Sequence, residues 1–230
     1  MTLIQPLKPR VTLSRQVLDV VVNAIMSGEM APGDQINEAE LARRLGISRG
    51  PLREALSQLE GRQLLERVPG VGMRIIRLSQ PDLVSLFEIR AALEGLACRR
   101  AAQFITEEEL ARLDQLLEVY GQQGGGTDAV DTYGTDDDFH VAIAYASRSD
   151  RLVKMLTEDL YLQVRLYRYQ SERRTPSRTA AAWKEHREIV EALRARDGDR
   201  AAAAMEKHVG RAVAALQAPA PEKIQAAAGG

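Results

Sequence analysis

The sequence predicts a mainly α-helical chain in two unequal parts: a short N-terminal unit of helices closed by a small β-hairpin, then an antiparallel all-α bundle of about six helices. Three observations predict it. Apolar residues recur at helical spacing from residue 13 almost to the end, interrupted by two short runs at 65–68 and 73–77 around Pro69-Gly70-Val71-Gly72. The charge changes sign along the chain: residues 1–78 hold 11 Lys/Arg against 8 Asp/Glu, and residues 79–230 hold 20 against 24. A mildly basic head therefore precedes an acidic body. All three histidines, His140, His186 and His208, fall in the second part, each on an apolar stripe.

Within the head (residues 1–78), a first helix is expected over 13–27, with Val17, Val20, Val21, Ala24 and Ile25 at helical spacing. Gly28 ends it, and Ala31-Pro32-Gly33-Asp34 forms a turn. Asn37 with Glu40 three residues on reads as an N-cap and its capping partner, opening a short helix through Leu45. Gly46 closes that helix. Ser48 caps the next, where Pro51 is tolerated because first-turn N–H groups have no intrahelical partner. The runs 65–68 and 73–77 then make the hairpin. In the body (79–218), helices are expected at 81–104, 106–121, 132–147, 150–172, 177–196 and 199–217. Gly124–Gly126 breaks the second from the third, and Asp197-Gly198-Asp199 makes a tight turn before the last. Residues 219–230 read as a disordered tail of Ala, Pro and Gly.

Composition excludes several classes. No apolar run approaches the roughly 18 residues of a membrane span. The first ten residues carry two prolines and no apolar stretch of signal-peptide length. Cys98 is the only cysteine, so an intrachain disulfide or a cysteine zinc site is out. A reducing cytoplasm is the expected setting.

Residues 38–57 have helix-turn-helix spacing. Leu41, Leu45, Leu52 and Leu56 supply apolar contacts, Ala42 lets the helices approach, and Gly46 makes the sharp turn. Ser48, Arg49 and Arg53 lie near the start of the second helix, the end that enters a major groove in such motifs. An arginine fork can bond guanine O6 and N7 together, and a serine at a helix N-terminus suits a phosphate. Arg67 and Arg74 flank glycines in the hairpin, which reads as a wing. The other reading of these residues is a helical hairpin with a solvated basic face.

Asp136 and His140 are spaced i, i+4, so they share one helix face, about 5–6 Å apart at Cβ. With His186 and His208 they supply four groups from three helices that can meet inside the bundle around a divalent ion such as zinc, nickel or manganese. The other reading is three satisfied core histidines beside a local Asp–His pair.

Two resemblances sharpen both readings. LARRLGISRGPLREALSQLEGRQLLERVPGVGMRI, within 34–78, resembles the winged-helix domain of GntR-family regulators. It implies DNA contacts from Ser48, Arg49, Arg53 and Gly72. Some members carry a DNA-reading arginine where Ala39 stands here, so base preference rests more on Arg49 and Arg53. EIRAALEG at 88–95, DDDFH at 136–140 and EHREIVEALRARDGDRAAAAMEKHV at 185–209 resemble the FCD ligand-binding domain of the FadR branch, in its six-helix, VanR-like subgroup. This implies Asp136, His140, His186 and His208 as metal ligands and Arg90 as a pocket residue pairing with an acidic effector. ASRSD at 146–150 departs from the frequent ASGN and implies a differently capped helix end. LFEIRAALEGLACR and DLYLQVRLYRYQ are similar to FCD regulators linked to propionate and methylcitrate metabolism, which implies a small organic acid and adds Arg165, with Tyr167 or Arg168, to the pocket.

The expected function is a ligand-responsive, DNA-binding transcription regulator, a repressor. A homodimer would set its two heads on a near-palindromic double-stranded operator. The competing class is a metal-dependent enzyme using the His/Asp site, for which no general base is evident.

Overall fold

The computed structural model describes residues 12–122, 139–164, 166 and 178–217. Helix α1 (Leu13–Met26) starts at Thr12, whose hydroxyl accepts the Arg15 amide at 3.2 Å. Its inward face is Val17, Leu18, Val21, Val22 and Ile25. Val20, expected on that face, is 47% exposed, and Leu18 and Val22 fill the core in its place. Helix α2 (Glu38–Leu45) is capped by Asn37, whose side chain accepts the amides of Ala39 and Glu40. The Glu40 carboxylate does not return to the cap as expected; it pairs with Arg43 at 2.7 Å. Gly46 takes φ 65°, a left-handed turn that costs a residue with Cβ much more, and swings the chain into α3 (Arg49–Gly61).

Strands β2 (Leu65–Val68) and β3 (Gly72–Ile75) form the expected hairpin, with Leu65 opposite Ile75 and Val68 opposite Gly72. A third strand joins them: β1 (Gln35–Ile36) pairs antiparallel with β3, giving the order β1-β3-β2. Two residues are too few for a period-two signal, so the sequence reading missed it. Ile36, Met73 and Ile75 turn inward and join Leu52, Leu56, Leu59 and the α1 face in one core.

Helix α4 (Gln80–Phe104) opens with a reciprocal capping box, Ser79 with Asp82, with Pro81 harmless in its first turn. It packs along its length on α9 (Gly198–Gln217). Helices α5 (Glu107–Gln122), α6 (Phe139–Ala146) and α8 (Arg178–Arg194) complete the second core around Phe87, Leu113, Ile143, Ile189 and Met205. At the end of α6, Arg148 adopts φ 51° and its guanidinium pairs with Glu109 at 2.8 Å. This is the ASRSD departure: an ion pair to α5 offsets left-handed strain in a residue with a Cβ.

The helix expected over 150–172 is not uniform. Helix α7 (Asp150–Lys154) widens into a π-helical stretch, Met155–Leu160, before helical residues 161–164. Leu162 and Leu166 then belong to the core of the head, not to that of the bundle. Gln163 Nε2 donates to Arg62 O at 3.4 Å and Gln63 Oε1 at 3.3 Å, just past the end of α3. The body thus reaches back to grip the end of the second helix of the helix-turn-helix. Among the described residues no helix is long and apolar enough to cross a membrane. The Gly124–Gly126 break, the start of the 132–147 helix and the 219–230 tail lie outside the described residues.

Candidate nucleic-acid interface and metal centre

The first half presents its basic residues at the start of α3 and in the hairpin. Ser48 is the N-cap of α3 by position, yet its side chain makes no capping bond, and among the described residues nothing else takes its exposed hydroxyl. Arg49, the first residue of the helix, is exposed, and among the described residues nothing pairs with it. Arg53 Nε lies 2.8 Å from Glu38 on α2, and Arg67 lies 3.3 Å from Glu60 on α3. Both arginines are more than half exposed, and surface pairs of this kind contribute about 0–1 kcal/mol. A phosphate or base edge can displace such carboxylates at little cost. Gly72 holds φ 103° at the hairpin tip, where Gln35 Nε2 also donates to Val71 O.

The second half brings the three histidines together. His140 stands on α6, His186 on α8 and His208 on α9, each with one ring nitrogen within 4.8 Å of the others'. The Nε2 atoms of His186 and His208 are 3.2 Å apart. Phe139 stacks on the His186 ring at 4.2 Å between centroids. His140 and His186 are buried, and His208 is nearly so.

Two carboxylates that sequence reasoning did not single out lie behind these rings. Glu94 on α4 bonds His140 Nδ1 at 2.7 Å through one oxygen and Arg90 Nε at 2.6 Å through the other. Glu185 on α8 bonds His208 Nδ1 at 2.8 Å and pairs with Arg211. Burial by itself raises the pKa of the Glu94 carboxyl, but the Arg90 charge and the His140 contact outweigh it and hold the group well below the usual carboxylate range. Glu185 is likewise lowered, burial opposing and the His208 bond and Arg211 prevailing. The i, i+4 spacing of Arg90 and Glu94 on an apolar stripe was a usable signal for the first. For Glu185 there was none: it adjoins His186 in sequence but serves His208 on another helix.

Arg90, expected in a pocket, is buried, with Nε spent on Glu94; among the described residues no hydrogen bond takes its Nη groups. Asp136 and Arg165 lie outside the described residues. The donor set fits a divalent transition ion: imidazole nitrogens converge from three helices, and two carry a carboxylate behind the far nitrogen, as metal-ligating histidines commonly do.

Comparisons with known proteins agree with this division. Residues 13–75 match the family described as bacterial regulatory proteins, gntR family, and residues 85–211 match the FCD domain. A Paenarthrobacter nicotinovorans protein named "Probable D-xylose utilization operon transcriptional repressor" is 34% identical over 203 residues, 87% of each chain. The HTH-type transcriptional repressor RspR of Escherichia coli is 29% identical across 91% of each. Among solved structures, Escherichia coli McbR/YncC superposes with TM-score 0.74 at 25% identity, covering 90% of this chain and 98% of that one.

Proposed function

Because the chain belongs to the GntR family of bacterial transcriptional regulators and carries an FCD domain, we propose that it is a metal-loaded, organic-acid-responsive repressor acting as a homodimer on operator DNA. Its relatives are transcriptional regulators and not enzymes, so the competing enzyme reading is set aside and the histidine cluster is a place for binding. The observation that carries the proposal is the convergence of His140, His186 and His208 beside a buried arginine in a chain that also has a basic winged helix.

In this reading the head is residues 1–78 and the sensor 79–218. Arg49 and Arg53 read base edges, Ser48 and Gly72 meet phosphates, and Arg67 anchors the wing. His140, His186 and His208, with Asp136, hold a divalent ion, zinc, nickel or manganese. That ion supplies a Lewis-acid anchor for a carboxylate. Arg90 offers its Nη edge to the same ligand, and Arg165 adds to the pocket. The effector class, a small carboxylate, rests on these arginines and on the resemblance to propionate- and methylcitrate-linked regulators; the names of the two relatives above speak of a D-xylose operon and of RspR. The place of work is the cytoplasm, with the DNA.

Fluorescence anisotropy of the full chain on DNA from upstream of its own reading frame tests this, with zinc and a panel of small carboxylates added. An effector that binds one arrangement of the dimer better by about 1.4 kcal/mol changes operator affinity roughly tenfold. Arg90→Lys should bind DNA normally and lose that response. Lysine is the variant of choice because alanine would strand the buried Glu94 charge, a loss of about 3–5 kcal/mol. Failure to bind this DNA, or indifference to every carboxylate, overturns the reading.

A further inference from the structure

We infer that Glu94 and Glu185 are positioning residues that select which nitrogen of His140 and His208 is offered to the shared centre, each tied in turn to its own arginine. The inference rests on the metal-binding reading and adds to it the groups that prepare the site before any ion arrives.

The same three-member order occurs twice, built from different helices. In one relay, Arg90 and Glu94 lie one turn apart on α4 and reach His140 on α6 through bonds of 2.6 and 2.7 Å. In the other, Arg211 and His208, three residues apart on α9, close on Glu185 of α8, with 2.8 Å between Glu185 and His208 Nδ1. In both, one carboxylate oxygen lies against an arginine and the other faces an Nδ1.

An ionised carboxylate only accepts hydrogen bonds. A neutral imidazole facing one must donate from Nδ1, which leaves its lone pair on Nε2. His208 turns Nε2, the nitrogen away from Glu185, toward His186 Nε2 at 3.2 Å. Each arginine lies against the far oxygen of its carboxylate, so that the near oxygen keeps its place at Nδ1. Surface salt bridges would not explain this arrangement, because Glu94, Arg90 and Glu185 are all buried.

The relay makes a sharp claim about one conservative change. Glutamine at either position keeps the shape but has only one oxygen for two donors. The charged arginine wins that oxygen, since charge-assisted bonds are roughly twice as strong as neutral ones. The amide NH2 then faces Nδ1, which must accept, and the imidazole proton moves to Nε2.

The test uses the full chain, zinc as the probe, and two readouts. Nitrogen-15 correlation spectra of the metal-free protein at neutral pH report the tautomer of each histidine. Competition with a chromophoric chelator reports zinc affinity. Wild type should show Nδ1–H for His140 and His208. Glu94→Gln should convert His140 alone to Nε2–H, Glu185→Gln should convert His208 alone, and each should weaken zinc binding about 10–100-fold. Circular dichroism melts confirm folding. If Glu94→Gln does not fold, Glu185→Gln carries the test, because Arg211 is half exposed and tolerates the change. Wild-type tautomers in the glutamine variants, or undiminished zinc affinity, overturn the inference. A wild-type protein that takes no zinc overturns the metal-binding reading instead, while the metal-free spectra still decide whether the two glutamates set the rings.

Discussion

Replacing Leu162 with alanine should loosen the DNA-binding head, although the residue belongs to a helix of the sensor. Leu162 is fully buried, and it belongs to the same core as Leu18, Leu56, Leu59 and Ile75 of the head. A buried leucine cut back to alanine costs about 2–5 kcal/mol, the transfer of the lost atoms plus the cavity left behind. The head can close part of that gap, so the lower end, about 2 kcal/mol, is the working figure. Since each 1.4 kcal/mol is a factor of ten in an equilibrium constant, the head should open roughly thirty times more often. Hydrogen exchange followed by mass spectrometry reads this directly: peptides covering α1 and α3 should lose protection by about that factor. Peptides of the second core, around Ile189 and Met205, should change far less. Gln163→Ala, which removes only the bonds to Arg62 and Gln63, should cost about 0.5–1.5 kcal/mol in the same peptides. Equal loss in both cores, or none in the head, would refute the idea that this helix completes the head.

Other predictions follow from the same geometry. Arg49→Ala should lose about 1–3 kcal/mol of operator affinity and relax one base position in a binding-site selection, whereas Arg67→Ala should weaken all sequences alike and flatten the salt dependence. Gly198→Ala would set a Cβ 2.8 Å from the carbonyl oxygen of Arg99, so urea unfolding should show a loss of about 1–3 kcal/mol; an unchanged midpoint would mean α9 can step away from α4. Asp82 is held below its ordinary value of 3.8 by the Ser79 hydroxyl and amide. A depressed folded pKa contributes stability that is present above the unfolded value and lost as pH falls through the folded one. The first turn of α4 should therefore fray only in acid below that value, and an Asp82 carboxyl that titrates at or above 3.8 by NMR would contradict the capping box.

The head was legible because its turns are punctuated by residues with few alternatives. Asn37, Gly46 and Ser48 bracket two short helices, and Pro69-Gly70-Val71-Gly72 can hardly be anything but a hairpin turn. Periodicity did less well where two faces compete. Val20 fits the α1 stripe as well as Leu18 does, and only packing against α3 decides between them. The π-helical stretch and the crossing of Leu162 and Leu166 left no sequence trace, because an apolar helix face does not say which core it will enter. The histidines were legible through their scarcity and their shared burial pattern. Glu94 was hinted at only by its spacing from Arg90, and Glu185 not at all, since a glutamate in an acidic body looks like any solvated charge until the fold places an imidazole beside it.

The most direct test of the account is native mass spectrometry of the purified full-length chain at neutral pH, before and after chelation and reloading with zinc, nickel or manganese. The account predicts one divalent ion per chain, lost on chelation, regained on reloading, and absent from a His186→Ala variant that remains folded. A wild-type chain that arrives without metal and refuses all three ions would contradict it.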